Sequence, residues 1–445
     1  MGEHEMEKFY QEAARRIPVA AETDVLVAGG GPAGVGAAIA AARNGARVIL
    51  LEKFNNLGGM ATSGMMSHWV GAEMCRLQNE VTDRMHEVES CRVQGNPECD
   101  TFNMNRVIWH EAQKTAMQRL VLEAGVTIQF HTLVVGTIME GNAVRGVITE
   151  SKSGREAIYA KAVIDATGDG DAAAFAGAEY LTGREEDGKC QPVTLMFRIG
   201  GVDYSRAVFP PSFETCIDLP KGEIQALGRA HLPYPAGHVL LYRTLIPGEV
   251  CVNMTNVTDI DGTNVRDLTK AELVCREQME SIVKFLREFV PGYGSCYLVA
   301  AAENAGVRET RHFKGEYTLT AEDVVEARVF DDWIATRNHF NFDIHSLEGP
   351  GLDKNGVQQN FKSHGCYTIP YRACLPRNVE NLLLSGRNIS GTHKAHSNYR
   401  VMGICMNIGQ GVGVAAALAV KNGVSVRNVD VREVQKVLRS MGEEV

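Results

Sequence analysis

Three absences bound what this 445-residue chain can do. It has no cluster of Lys and Arg. The 45 basic residues are outnumbered by 54 acidic ones, for a net charge of −9, whereas gripping nucleic acid or an anionic membrane needs concentrated positive charge. It has no apolar run near the roughly 20 residues that cross a bilayer; the longest, such as Val412 to Val420, stop well short. It has no CxxC pair. Its 11 cysteines lie singly, an odd number without zinc or haem spacing, which suits reduced thiols buried as small hydrophobes. Internal repeats and low-complexity tracts are missing too. Met1 to Phe9 mixes Glu, His and Lys without the basic-then-apolar layout of a secretory signal. The expectation is a cytoplasmic protein acting on a small molecule, with no nucleic-acid and no membrane partner. A homo-oligomer or a protein electron partner stays open.

What is present begins with a glycine turn. Thr23 to Ala28 (TDVLVA) reads as a buried strand, Pro32 to Asn44 as an Ala-rich helix small enough to lie close on a sheet, and Arg47 to Leu51 as a second buried strand. Between the first strand and the helix stands Gly29-Gly30-Gly31-Pro32-Ala33-Gly34, a GxGxxG at Gly29, Gly31 and Gly34. Glycines placed so permit a tight turn, backbone approach to a pyrophosphate and close helix packing, while the helix N-terminus stabilises phosphate charge. Glu52 closes the second strand about twenty residues on, where a carboxylate meets ribose hydroxyls and repels a 2′-phosphate. The turn alone is weak evidence; strand, turn, helix, strand and acid in that order are strong.

Helices are expected over Asn105 to Ala124 and Thr269 to Phe289, from apolar residues at mixed three and four spacing. Leu133 to Met139, Val144 to Thr149 and Glu156 to Ala160 alternate and are separated by Gly-Asn and Ser-Gly turns, which predicts a β-meander before a buried strand at Ala162 to Ala166. The stretch from 189 to 359 has Pro-rich loops and most of the His and aromatic residues. Asn381 to Leu384 and the Ala- and Gly-rich run Met402 to Ala419 return to the style of the first unit. We therefore divide the chain into a dinucleotide-binding domain (20–188 and 360–445) interrupted by a substrate domain (189–359).

Three further segments carry a family resemblance. Gly58-Gly59-Met60-Ala61-Thr62 follows the ribose-binding acid, Asp165-Ala166-Thr167-Gly168-Asp169-Gly170-Asp171 ends a buried strand, and Ser385-Gly386-Arg387-Asn388 precedes Gly409-Gln410-Gly411-Val412-Gly413. Together with Arg308-Glu309-Thr310-Arg311 and Gly315-Glu316-Tyr317, the set resembles the FAD-dependent oxidoreductase family, two-dinucleotide-binding-domain flavoproteins related to fumarate reductase and succinate dehydrogenase flavoproteins. The resemblance implies an α/β fold: a Rossmann-type FAD-binding domain with an inserted β-meander and an inserted mixed α+β substrate domain. It implies non-covalent FAD held by Gly29, Gly31, Pro32, Ala33, Gly34, Glu52, Lys53, Gly59, Met60, Val134, Ala166, Thr167, Gly168, Gly386, Arg387, Asn388 and Gly403.

A flavin supplies hydride chemistry, so the protein must orient a substrate, move a proton and stabilise charge. Thr392 to Arg400 (THKAHSNYR) gathers donors ahead of the C-terminal helix, and Arg400 stands where the resemblance implies a substrate-facing arginine. Arg308, Arg311 and His312 form a second set, suited either to ion pairing or to a bidentate grip on a carboxylate. Asp343 and His345 share one face if the chain is extended. We expect His396 or His345 as the proton partner and Arg400 or Arg311 as the anion holder. No His or Cys spacing matches a metal-ligand frame, so no metal is expected. The reading is an FAD-dependent oxidoreductase passing a hydride between a small polar metabolite and flavin N5. Two alternatives stay open: a flavoprotein electron-transfer subunit, and a flavin-binding protein without catalysis.

Overall fold

The computed structural model describes residues 10–71, 75–91, 106–357 and 363–445. Strand β1 (Val19–Ala28), helix α1 (Pro32–Arg43) and strand β2 (Val48–Leu51) form the expected βαβ start. Helices α2 (Arg76–His86) and α3 (His110–Glu123) lead to β3 (Thr127–Gln129), then to the meander β4 (Leu133–Glu140), β5 (Ala143–Ser151) and β6 (Gly154–Asp165). Short elements α4 (Asp171–Phe175) and β7 (Tyr180–Thr182) follow. Next come β8 (Phe197–Gly200), the two-residue strands β9 (Asp218–Leu219) and β10 (Gly222–Glu223), α5 (Ile224–His231), β11 (Leu241–Arg243), β12 (Val250–Val252), α6 (Val265–Phe289) and β13 (Tyr297–Ala301). The chain ends through β14 (Arg311–Phe313), α7 (Ala321–Val325), β15 (Trp333–Asn338), β16 (Tyr367–Pro370), β17 (Leu382–Leu384), α8 (His393–Tyr399), α9 (Met402–Asn422) and α10 (Val431–Ser440).

The main sheet runs β3-β2-β1-β6-β5-β4, with β17 also on β6. Neighbours β2, β1, β6 and β17 are parallel, whereas β4, β5 and β6 pair antiparallel. The sequence predicts separate strands at Glu156 to Ala160 and Ala162 to Ala166; the structure joins them. The intervening Lys161 is exposed and ion-pairs with Asp24 at 2.9 Å, and one outward polar residue continues a strand rather than breaking it. The first part of β6 closes the meander against β5, and its last three residues pair with β17. The helix expected over 269–289 begins at Val265, because the Asn264 side chain accepts the Arg266 N–H as an N-cap. The helix expected from Asn105 begins at His110, and residue 105 lies outside the described residues.

Two apolar cores result. One gathers the main sheet with α1, α3 and α9, and the second gathers β8, β11, β12 and α6. Phe313, Val324, Trp333 and Ile334 already pack in the first core, so the chain re-enters that core well before 360, the boundary drawn from residue texture. Enrichment in His and aromatics marks where chemistry can sit, not which core a segment joins.

The first core depends on α1 lying directly on α9. A Cβ on Gly409 would come 2.0 Å from the Ala33 carbonyl oxygen, and one on Gly413 2.3 Å from the Ala37 carbonyl oxygen. Gly411 faces the other way, against the Ile334 carbonyl of β15. The Gly409 to Gly413 run therefore serves helix packing. Helix α9 is long and apolar enough to cross a membrane, yet 94% of its most apolar window is buried inside the protein. Gly413→Val should force α1 and α9 apart and cost about 1–3 kcal/mol or more. Urea unfolding of the variant should show a lower midpoint than wild type; an unchanged midpoint would mean that the contact is slack.

Candidate flavin and substrate site

The turn after β1 contains glycines of two kinds. A Cβ on Gly29 would lie 2.3 Å from the Ala166 carbonyl oxygen, and one on Gly34 would lie 1.8 Å from the Gly29 carbonyl oxygen. Both positions exclude a side chain because backbone fills the space. Gly31 differs, since a Cβ there would meet nothing within 4 Å. Gly31 is the N-cap of α1, followed by Pro32 and then Ala33, and open space before a helix N-terminus is what a pyrophosphate requires. Gly59 passes over the same mouth, its Cβ direction 3.1 Å from Gly31 Cα, with Met60 next in the same 3-10 turn. Glu52, 7% exposed, accepts the Gly30 N–H at 2.7 Å and the Phe54 N–H at 2.9 Å. The carboxylate is thereby fixed while each oxygen keeps a lone pair for a ribose hydroxyl. Lys53 is exposed, its ammonium 5.2 Å from the Phe54 ring centroid, and Val134 is buried in β4.

The remaining expected contacts divide. The Ala166 carbonyl lies beneath Gly29, and Gly386 approaches Ala33 so closely that a Cβ would sit 2.9 Å from the alanine methyl. These bring the second and third segments to the dinucleotide mouth. Three residues are engaged elsewhere by their side chains or backbone. The Thr167 hydroxyl donates to Asp165 and accepts the Asp171 N–H. The Asn388 amide accepts the Ser385 N–H and donates to the Asp165 carbonyl. Gly403 lies under the Val70 and Gly71 carbonyls. Arg387 runs beside Gly168 and pairs with Asp169 at 2.5 Å.

Beyond the α9 N-terminus lies a buried charged group. Arg400 caps the C-terminus of α8 and donates through Nη2 to the Asp343 carbonyl at 2.8 Å and to its carboxylate at 3.1 Å. His345 Nε2 lies 3.4 Å from the other Asp343 oxygen. Arg308 is buried, donating to the Pro192 carbonyl at 2.6 Å. Gln191 ties the group together: its Oε1 accepts the His345 N–H at 3.1 Å and lies 3.5 Å from Arg400 Nη2. Burial opposes charge on Asp343, but His345, Arg400 and Arg308 together hold its carboxyl well below the ordinary range. Burial, reinforced by Arg308, pushes the His345 imidazole down to about 4, so it is neutral near pH 7. Burial and Arg400 draw Arg308 down to about 9, still protonated at that pH. Two cations thus face one carboxylate. Two buried donors here, Arg400 Nε and Gln191 Nε2, have no hydrogen-bond partner among the described residues.

The other sequence candidates lie apart from this group. Arg311 pairs with Asp171 at 2.9 Å, donates to the Asp169 carbonyl and lies over the Tyr180 ring. His396 stands edge-on to His312, with ring centroids 4.7 Å apart, next to the buried Glu309. Gln191 was missed in the sequence because one amide in a loop carries no pattern. Asp343 was visible only as a neighbour of His345.

A sheet that ends in an open phosphate mouth, a fixed ribose-facing carboxylate and a buried charged group beyond it define a dinucleotide-dependent oxidoreductase. The sequence pattern of the "FAD dependent oxidoreductase" family matches residues 24–438, and the chain belongs to that family, with FAD as its cofactor. A curated relative, the soluble pyridine nucleotide transhydrogenase of Sodalis glossinidius (strain morsitans), is 29% identical over 90 residues, 20% of this chain and 18% of that protein. Among solved structures, the geranylgeranyl bacteriochlorophyll reductase-like protein Ta0516 of Thermoplasma acidophilum is 14% identical with a TM-score of 0.47, covering 94% of this chain and 83% of that one. The p-nitrophenol 4-monooxygenase PnpA of Pseudomonas putida DLL-E4 is 13% identical with the same TM-score and the same coverage.

The cradle generates a paired prediction. Gly31→Val should fold, because its side chain enters free space at an extended φ of −68°, and should lose FAD affinity by at least about tenfold by filling the phosphate space. Gly34→Val should lose both FAD and stability, since its Cβ meets backbone. FAD titration followed by unfolding of the apoproteins checks this, and equal behaviour of the two variants would contradict it.

The buried imidazoles set the acid limit. Burial holds His68, His110 and His345 near 4 and His238 near 3. As pH falls from 6.5 towards 4 the unfolded chain takes up protons that the folded chain refuses. Stability should therefore fall on acidification, by about 1.4 kcal/mol per pH unit for each such histidine. Comparing urea unfolding at pH 7 and pH 5 for wild type and His110→Gln should show a shallower pH slope in the variant.

Proposed function

We propose that the enzyme oxidises or reduces a small carboxylate-bearing metabolite, held at the Arg308, Arg400 and Gln191 group. The single observation that carries this is the pair of unpartnered buried donors, Arg400 Nε and Gln191 Nε2, beside two shielded guanidiniums, Arg308 and Arg400, that both act on the Asp343 carboxylate. Buried donors of this kind are costly unless an acceptor meets them. A carboxylate supplies the acceptors and the missing negative charge together, and a planar guanidinium offers it two-point contact. FAD, when bound, would supply the two-electron hydride chemistry. The protein then has two tasks. Arg400 and Arg308 fix the substrate anion and set which carbon is presented. His345, kept neutral by burial, takes a proton as a substrate C–OH or C–H is oxidised and returns it in the reverse direction. Asp343 orients that imidazole and balances the arginines when no anion is present. Tyr242, edge-on to His68 with ring centroids 5.1 Å apart, and Phe213, edge-on to His345 at 5.0 Å, supply aromatic walls.

Small mono- and dicarboxylates titrated into the FAD-loaded protein should perturb the flavin absorbance. Arg400→Ala should weaken that binding by about 2–5 kcal/mol, roughly tenfold to several-thousandfold, without loss of FAD. Arg400→Lys should recover only part of the loss, because it keeps charge without the planar grip. Arg311→Ala should change little, its guanidinium being engaged by Asp171. Equal carboxylate affinities in wild type and Arg400→Ala would overturn the assignment.

A further inference from the structure

Next to the anion group, but facing away from it, is a compact set of donors that the proposed reaction does not use. Glu309 and His312 flank the entry to β14, and His396 lies on α8, more than eighty residues later in the chain. One ligand-capable atom from each falls within 4.8 Å of the others, and all three residues are buried. We propose that Glu309, His312 and His396 form a binding site for one divalent first-row transition-metal ion, a two-histidine, one-carboxylate set that leaves coordination positions open.

Each residue is prepared for that task in a different way. His312 Nδ1 lies 3.1 Å from the Gly391 carbonyl, to which it can only donate, and its Nε2 lies 2.8 Å from Glu309 Oε1. Anchoring the outer ring nitrogen on a carbonyl is how proteins fix the tautomer of a metal-binding imidazole. In the neutral ring this turns the Nε2 lone pair on the carboxylate lone pairs, and two such groups in contact need a cation between them. His396 is 1% exposed, and its Nδ1 has no hydrogen-bond partner among the described residues.

Glu309 is 1% exposed and held from behind. Its Oε2 accepts the Gln191 N–H at 2.9 Å, and Oε1 faces His393 Nδ1 at 2.6 Å. Held in this way from outside the group, the carboxylate presents the oxygen ligand that a hard or borderline cation needs. His393 bonds the carboxylate from outside the three-residue group, in the position of an outer-shell support. Two imidazoles and one carboxylate favour Fe²⁺, Co²⁺ or Zn²⁺ over Ca²⁺ or Mg²⁺, which prefer all-oxygen shells. Linear spacing could not reveal the set, because its third member arrives from a different element.

The test uses the FAD-loaded protein, treated with chelator and titrated with Co²⁺ alone. Wild type should retain a single equivalent of Co²⁺ through gel filtration and gain a ligand-field absorption band at longer wavelength than the flavin, displaced by Zn²⁺. Glu309→Gln and His312→Ala should lose the band, with FAD content and unfolding midpoint reporting whether each variant has folded. His393→Gln should keep the band with roughly tenfold to a hundredfold weaker binding. The decisive measurement is on wild type and needs no variant to fold: no retained Co²⁺ and no band would overturn the proposal. A band unaffected by both Glu309→Gln and His312→Ala would overturn it equally, by placing the ion elsewhere. No substrate enters the measurement, so its outcome is separate from that of the carboxylate reading.

Discussion

Direct backbone contact between α1 and α9 is the constraint on which the rest of this molecule depends. The first helix carries the phosphate mouth at its N-terminus, and the last long helix carries Arg400 and α8 just ahead of its own N-terminus. Only glycine at Gly409 and Gly413, facing the Ala33 and Ala37 carbonyls, lets the two axes come this close. A methyl group at either position would force the two helices apart. Such misplacement matters for chemistry that needs reacting atoms held near 3–3.5 Å. Packing of small residues, remote from any reacting atom, is therefore the geometric basis of the site.

Several charged groups of the two cores are buried in pairs. Arg198 with Glu249, Arg400 with Asp343, and Glu309 with His312 and His393 all lie largely shielded from water. Buried pairs of this kind stabilise weakly at best, because desolvation offsets most of their attraction, whereas losing one partner is strongly destabilising. Their presence is better explained by function than by folding. An apolar interface would hold two cores together at least as well, but it would offer no grip for a polar ligand.

How much was legible in the sequence follows from how local each signal is. The βαβ start, Glu52 and the meander were readable because strand, turn and helix periodicity are written within a few residues of one another. The continuity of β6 through Lys161 was not, since a single outward polar residue looks the same as a break. The engaged side chains of Thr167 and Asn388 were equally hidden: a motif says that a polar residue stands near the cofactor segment, not whether the backbone has already taken its hydrogen bonds. The buried charged group was half visible. Arg400, His345 and Arg308 announced themselves by type, but their meeting depends on Gln191 from a loop with no pattern, and Arg311, equally conspicuous, turns to Asp171.

Gln191 also shows why the two polar groups cannot be understood separately. Arg308 and Glu309 are consecutive, and their opposite charges face different partners, the first toward Pro192 and the Arg400 group and the second toward His312 and His393. One residue spans both: the Gln191 backbone N–H holds Glu309, while its side-chain oxygen receives the His345 N–H. Its amide Nε2 remains buried without a partner among the described residues. Hydrogen bonds of 2.9 and 3.1 Å thus run from Glu309 through Gln191 to the His345 backbone. In a close-packed interior shifts are not absorbed locally. Glu309 and the His345 backbone are thus joined through one residue, Gln191.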